Sequence, residues 1–465
     1  MIRLVSPRSR TSWVLVALLL VLLVAGPLAY LAWRQSVPGV RVTGSPPRLL
    51  GQKTAFALVA EAARGNVAHV DVQLIQGGVR SVIARQEGPL GRRVDVPVTV
   101  EPAAAGIREG GATVEVWARD DFWRPWRAAE RAVATFPVAV DLTPPPLDVL
   151  ATTPYVAPGG AGVVVLRAPD AARVDIRVGA LGFPAFAVGP DGTRVAFFAL
   201  PYDVASGTPL AAVAEDEAGN VASRGLTSKV LPRQFRRDRI EVKDAFLQSK
   251  VPELLPQRAP SQPLLEAFLI INRDLRRQAE ETKRRVAAKT APTLLWEGPF
   301  VQPRNTKVFS NFAETRTYLY QGRVVDTQVH FGYDLASTKQ AAVPAANNGV
   351  VVFAEPLTIY GNTVIVDHGL GLMTLYGHLS AIGVKVGDAV ERGHEIGRTG
   401  MTGLALGDHL HYEVLVHGVS VTPLEWWDAK WLHDRVTGPL QAAGIAPTAV
   451  AERPARDPGR RRSRR

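Results

Sequence analysis

The sequence predicts a mainly β chain, with an N-terminal transmembrane helix, two β-sandwich modules, a helical connector and a C-terminal β-rich domain. Three observations lead there. One long apolar run near the start carries no charge, short alternating strands broken by Gly and Pro fill residues 39–232, and helical spacing of apolar residues is concentrated in 233–290.

The first element is residues 1–38. Trp13 to Trp33 is uncharged and long enough to span a bilayer as a helix. Arg3, Arg8 and Arg10 precede it, and the positive-inside rule keeps that end in the cytoplasm, so everything after Arg34 is expected outside. A cleaved signal peptide has the same leucine-rich core. The apolar run continues past Gly26-Pro27, however, and no small-x-small cleavage site follows, which favours a retained anchor.

Residues 39–142 form the first sandwich, with Val70–Leu74, Val94–Val100 and Val114–Ala118 as alternating strands. Asp141 to Pro146 reads as a stiff linker, because consecutive prolines hold an extended conformation. Residues 143–232 form the second sandwich, with strands at Val163–Leu166, Val174–Val178 and Val195–Phe198. In the connector, 233–290, Leu265, Phe268, Leu269 and Leu275 make an apolar helical stripe with Ser261 as N-cap. The densely charged stretch Arg273 to Lys289 is expected to face solvent for the most part. Residues 291–432 are β-rich, and the basic end 433–465 is expected to be a disordered tail, since its close, Arg456 to Arg465, lacks apolar residues to pack.

Composition narrows the function. The hydrophobic share of 46% supports sizeable cores, and 465 residues suit about three domains. With no cysteine, disulfides and thiolate metal sites are excluded, and an exported chain has nothing to mispair. The net charge of +11 is compatible with nucleic acid, but export argues against that partner, and anionic wall polymer or lipid headgroups are the alternative.

The chemistry is concentrated in the last third. His330-Phe331-Gly332-Tyr333-Asp334, His378 in Tyr376-Gly377-His378-Leu379, and His409-Leu410-His411 bring together imidazoles and a carboxylate suited to zinc. A hydrolytic zinc needs three protein ligands and an open position for water. In a strand, residues two apart share a face, so His409 and His411 would enter one cavity while Leu410 turns away. One histidine can then hold metal while its neighbour stays free. His368 is read as support for a strand end beside the site, and His394, His417 and His433 as surface positions; His69 lies in another domain and is expected to have no ligand partner nearby.

These residues occur in order with Ser310-Asn311-Phe312, Gly361-Asn362-Thr363-Val364, Gly397-Arg398-Thr399-Gly400, Thr402-Gly403 and Pro423-Leu424. Over roughly 295 to 428 the chain thereby resembles the lysostaphin-like, or LytM-type, zinc metallopeptidases, which hydrolyse peptide bonds in bacterial peptidoglycan. The resemblance implies that His330, Asp334 and His411 bind Zn2+, with no other cofactor, and that His378 and His409 are the catalytic pair, their division of labour left open. It implies an antiparallel sheet crossed by a groove, which Tyr318 and Tyr320 either line or merely support. The expected function is a membrane-anchored endopeptidase acting on peptidoglycan stems or cross-links. The alternative is a non-catalytic relative that binds wall or activates an amidase, although such relatives often lack some of the five residues present here. Phosphotransferase domains of related β-fold are cytoplasmic and have no need of Asp334. More loosely, Ala212 to Asn220, echoed by Val116 to Asp120, resembles the closing strand of bacterial immunoglobulin-like domains, so both sandwiches are expected to be immunoglobulin-like spacers. Protein partners would bind through these modules or the connector.

Overall fold

The computed structural model describes residues 8–126 and 131–445. The expectations for Arg3 and for the basic end beyond residue 445 lie outside them; over 433–445 the expected disorder is corrected, because His433–Thr437 and Gly438–Ala442 are helical and bury Val436 and Leu440 in the core. Two compact units are present, one of Met1–Pro144 with Glu215–Val221, the other of Pro145–Ala214 with Ala222–Arg465.

The first unit opens with the helix Arg8–Ser36, of which Trp13–Ser36 is long and apolar enough to cross a membrane. A sheet of Val40–Thr43, Thr54–Ala62 and Arg93–Val100 shares one core with a five-stranded sheet that includes Val67–Gln76 and Gly110–Asp120. Alternation sets the faces. In Arg93–Val100 every valine (Val94, Val96, Val98, Val100) is buried while Arg93, Asp95, Pro97 and Thr99 are exposed. Burying each such side chain contributes roughly 1.5–3 kcal/mol.

In the second unit, two four-stranded sheets are built around Ala161–Arg167, Arg173–Val178, Thr193–Ala199 and Leu210–Glu215. Ala161–Arg167 is buried along nearly its whole length, as its unbroken valine run requires. Its core is continuous with that of the C-terminal sheet, through residues such as Phe197 and Trp426, whose rings lie 6.1 Å apart.

The connector differs from expectation in two ways. It begins with a strand, Arg237–Glu241, which pairs in parallel with Glu314–Tyr320 and places Ile240 opposite Tyr318. Its second helix starts at Leu264 with Pro263 as N-cap and no side-chain cap, so Ser261 does not cap it. Proline presets the turn entering a helix, which makes a serine hydroxyl two residues earlier unnecessary. The last helix, Arg276–Ala287, mostly faces solvent as expected, and within it Lys283 is the charged residue turned inward, on one face with Ala279 and Ala287.

The C-terminal sheet runs Lys307–Ser310, Tyr333–Ala336, Leu410–Val416, Leu372–Leu379, Asn362–Asp367, Gly349–Pro356 and Ala389–Val390, with Val419–Val421 paired to Leu410–Val416. The neighbours are antiparallel. Register then does the positioning: Asp334 lies opposite His411, and His411 lies opposite Gly377, the residue before His378.

Candidate metal centre

His330 ends the strand Arg323–His330, and a tight turn through Gly332 starts the next strand, which carries Asp334. A Cβ on Gly332 would sit 2.5 Å from the Tyr412 carbonyl oxygen and 2.7 Å from His411 Nε2. Only glycine lets this turn pass so close to the ligand strand.

The three donor atoms converge. His330 Nε2 lies 2.9 Å from Asp334 Oδ1 and 3.0 Å from His411 Nδ1, and His411 Nδ1 lies 3.0 Å from Asp334 Oδ1. The far side of each ring is already committed. His330 Nδ1 donates to the Asn311 carbonyl at 2.9 Å, and His411 Nε2 donates to Glu413 Oε1 at 2.9 Å. These bonds fix the tautomers that turn both lone pairs inward, toward the carboxylate. Three inward acceptors repel one another unless a cation or proton joins them. A tetrahedral zinc with bonds near 2.0–2.1 Å spaces its ligands about 3.3 Å apart, so the site needs only a few tenths of an ångström of expansion. The donor set fits the ion.

His378 and His409 stand beside it, with ring centroids 4.8 Å apart. His378 Nδ1 donates to the Thr402 carbonyl at 2.8 Å and His409 Nδ1 to the Gly407 carbonyl at 2.7 Å, while His409 Nε2 lies 3.5 Å from Asp334 Oδ1. His378 holds φ +61°, in the left-handed region rare for a residue with a side chain. Such strain is found where surrounding structure over-determines a functional position. Here the surroundings include Gly361, where a Cβ would lie 2.4 Å from Thr402, so glycine allows the Thr402 loop to close on His378.

Comparison with known proteins bears on the same segment. Residues 328–423 match Peptidase family M23. This part of the chain is an M23 peptidase domain. Peptidoglycan DD-endopeptidase ShyA of Vibrio cholerae is 40% identical over 119 residues, 26% of this chain and 27% of that protein. DD-carboxypeptidase/endopeptidase Mpg of Neisseria meningitidis is 40% identical over 97 residues, 21% of this chain and 22% of that protein. The chain thus spans about a quarter of the length of these curated relatives. The catalytic domain of lysostaphin from Staphylococcus simulans matches 26% of this chain and 90% of its own length at 27% identity, with a TM-score of 0.23.

Charge in the M23 domain follows from burial and contacts. Burial holds the His330 imidazole down to about 4, and burial with His409 and His411 nearby holds His378 well below its ordinary value, so both rings are neutral at pH 7. Burial opposes ionisation of Asp334 as well, yet its histidine partners keep its carboxyl well below the usual range. Burial also works against a charged His411, but its bonds to Asp334 and Glu413 outweigh it and raise that pKa.

Several supporting groups escaped the sequence reading. Arg316 Nη2 donates to Asp334 Oδ2 at 2.8 Å. Glu413, two residues after His411 on the same strand face, holds that ligand from behind, and strand alternation alone points to it. Lys283 of the connector helix lies beneath Glu413, with Nζ 2.9 Å from Oε2. Burial lowers the Lys283 pKa, but Glu280 and Glu413 outweigh it and keep the ammonium charged.

The remaining sequence candidates separate. A cavity of about 500 Å3 opens over the five site residues and is lined also by Tyr318, Phe268 and Arg239. Tyr318 therefore lines the groove, whereas Tyr320 turns its hydroxyl to Asp244 at 2.7 Å. His368 is structural, buried between the Asn348 carbonyl at 2.7 Å and Thr374 Oγ1 at 2.8 Å. His417 is not a surface residue, because its ring stacks on Phe186 at 5.9 Å. A polar residue in a Gly-containing turn reads as exposed, but this turn is covered by the second sandwich. In the other unit, His69 lies 3.6 Å from Asp71 and 3.7 Å from Glu87, so carboxylates do stand near it. Asp71 is engaged by Arg85 at 2.6 Å, and no three-donor group forms there.

Proposed function

We propose that this chain is a membrane-anchored, zinc-dependent endopeptidase that hydrolyses peptide bonds in peptidoglycan. One observation carries the proposal: His330, Asp334 and His411 present three inward donor atoms within 3.0 Å of one another, beside the paired rings of His378 and His409. Bound zinc supplies Lewis acidity and makes water acidic enough to attack near neutral pH. His378, kept neutral by its burial, and His409 would between them accept the proton of the attacking water, hand it to the leaving amine and hydrogen-bond the oxyanion. The groove above them suits an extended peptide. The relatives' names, DD-endopeptidase and DD-carboxypeptidase/endopeptidase, favour a DD bond as the target.

The apolar helix Trp13–Ser36 supports anchoring, with the basic residues before it in the cytoplasm and the peptidase on the wall side. The two sandwiches are read as immunoglobulin-like spacers between them, and these or the connector as the surfaces for any protein partner.

The test is incubation of the full chain in detergent with purified sacculi, followed by mass spectrometry of released muropeptides. Zinc-dependent products that vanish in His411→Ala are expected. The rival, a non-catalytic regulator, predicts no products, and predicts amidase activation that survives His378→Ala with His409→Ala.

A further inference from the structure

Lys283 has no exposed surface at all, an unusual state for a lysine, and it comes from the connector helix rather than from the M23 segment. Its ammonium is surrounded by acceptors: Glu280 Oε1 at 2.7 Å, Glu413 Oε2 at 2.9 Å, Tyr360 Oη at 3.2 Å and Ser420 Oγ at 3.2 Å. It also lies 5.1 Å from the Tyr360 ring centroid and 5.4 Å from that of Phe331, the residue after the first metal-site histidine. The other oxygen of Glu413 accepts from His411 Nε2 at 2.9 Å, and Ser420 Oγ donates to Glu413 Oε2 at 2.7 Å.

We infer that Lys283 is a positioning residue for the metal centre, acting through Glu413 to set the orientation and tautomer of His411. The inference rests on the zinc-site reading above and extends it to a helix outside the matched family segment. The physical argument has three steps. A carboxylate with no exposed surface is tolerated only if its charge is matched, and Lys283 is the cation that matches it. So held, Glu413 accepts the Nε2 proton of His411 and leaves Nδ1 as the inward lone pair. Without the ammonium, Glu413 would be unbalanced, and relaxation of the carboxylate toward water or toward a proton would release the ring. The same connector also steadies the other wall of the site, since Glu253 Oε1 accepts from the Gly403 amide at 2.7 Å, next to the carbonyl that anchors His378.

The test measures zinc affinity by chelator competition on the full chain in detergent. Lys283→Met and Glu413→Gln should each weaken zinc binding by roughly 10–100-fold, the range for loss of an outer partner of a metal-binding histidine. The double variant should be no weaker than the weaker single one, because both act along one path. It also removes the unpaired buried charge, so it gives the answer if Lys283→Met fails to fold. A folded Lys283→Met, or a double variant, with wild-type zinc affinity overturns the inference and leaves the proposed function standing. A merely structural lysine would lower the melting temperature without moving the zinc constant. Wild-type protein that bound no zinc would overturn the proposed function and this inference together.

Discussion

Asp334 Oδ1 and His411 Nδ1 lie 3.0 Å apart because the two residues are direct cross-strand partners in adjacent antiparallel strands. A pair fixed by sheet register cannot drift apart without breaking the ladder, so the donors are organised before any ion arrives. Asp334→Asn keeps the shape but removes the anionic donor and leaves Arg316 facing a neutral amide. Zinc affinity should fall by more than the roughly 10–100-fold typical of outer-partner changes. Chelator competition checks this, and an unchanged constant would remove Asp334 from the ligand set.

His378 at φ +61° gives a second expectation, one that separates strain from chemistry. Glycine adopts this conformation freely, whereas any side chain with a Cβ costs about 1–2 kcal/mol there. His378→Gly should therefore unfold later than His378→Ala by about 1 kcal/mol, the reverse of the usual order for a strand. Both variants should lack peptidase activity. Urea unfolding of the two, side by side, decides it.

Gly332→Ala tests the close passage of the metal-site turn. The added methyl would meet the Tyr412 carbonyl at 2.5 Å and His411 Nε2 at 2.7 Å, atoms held by the sheet and by Glu413 and unable to yield cheaply. A loss of about 1–3 kcal/mol in stability is expected, as for overpacking in a rigid core, with weakened zinc binding. A variant as stable as wild type would mean the turn has room that the geometry denies.

The segments H-x-x-x-D and H-x-H were legible because they carry ligand types at spacings that a turn and a strand bring together, whereas His378 stands in neither and was reached only through the ordered family resemblance. The strands were legible for a similar reason, since Val94, Val96, Val98 and Val100 alternate with polar residues as a half-buried strand must. Lys283 was hidden by its neighbours. Among Arg284, Arg285 and Glu281 it reads as one more solvated charge, and only its place between Ala279 and Ala287 on a helical face marks it as inward. The strand Arg237–Glu241 was hidden because four of its five residues are charged, which suits an edge and obscures alternation. His417 was misjudged because burial there comes from Phe183 and Phe186, residues remote in sequence.

His417 carries the expectation for pH. Burial lowers its pKa to about 4, and that of His368 likewise to about 4, while in the unfolded chain both return toward 6.5. Between these values the unfolded state binds protons that the folded state refuses. Stability from these two rings is therefore complete above pH 6.5 and lost as pH falls toward 4, by about 3 kcal/mol per ring. Glu425 works in the opposite sense, because burial raises its pKa to about 6, which favours the folded state in acid and offsets about 2 kcal/mol between pH 6 and 4.5. The two histidines outweigh it. His417→Asn suits the φ of +50° at that turn and cannot titrate, so the acid-induced loss should shrink by about 3 kcal/mol. Urea unfolding from pH 7 to pH 4, followed by the fluorescence of the buried Trp296 and Trp426, measures the slope; identical slopes for variant and wild type would mean that His417 is not shielded from protons in the folded chain.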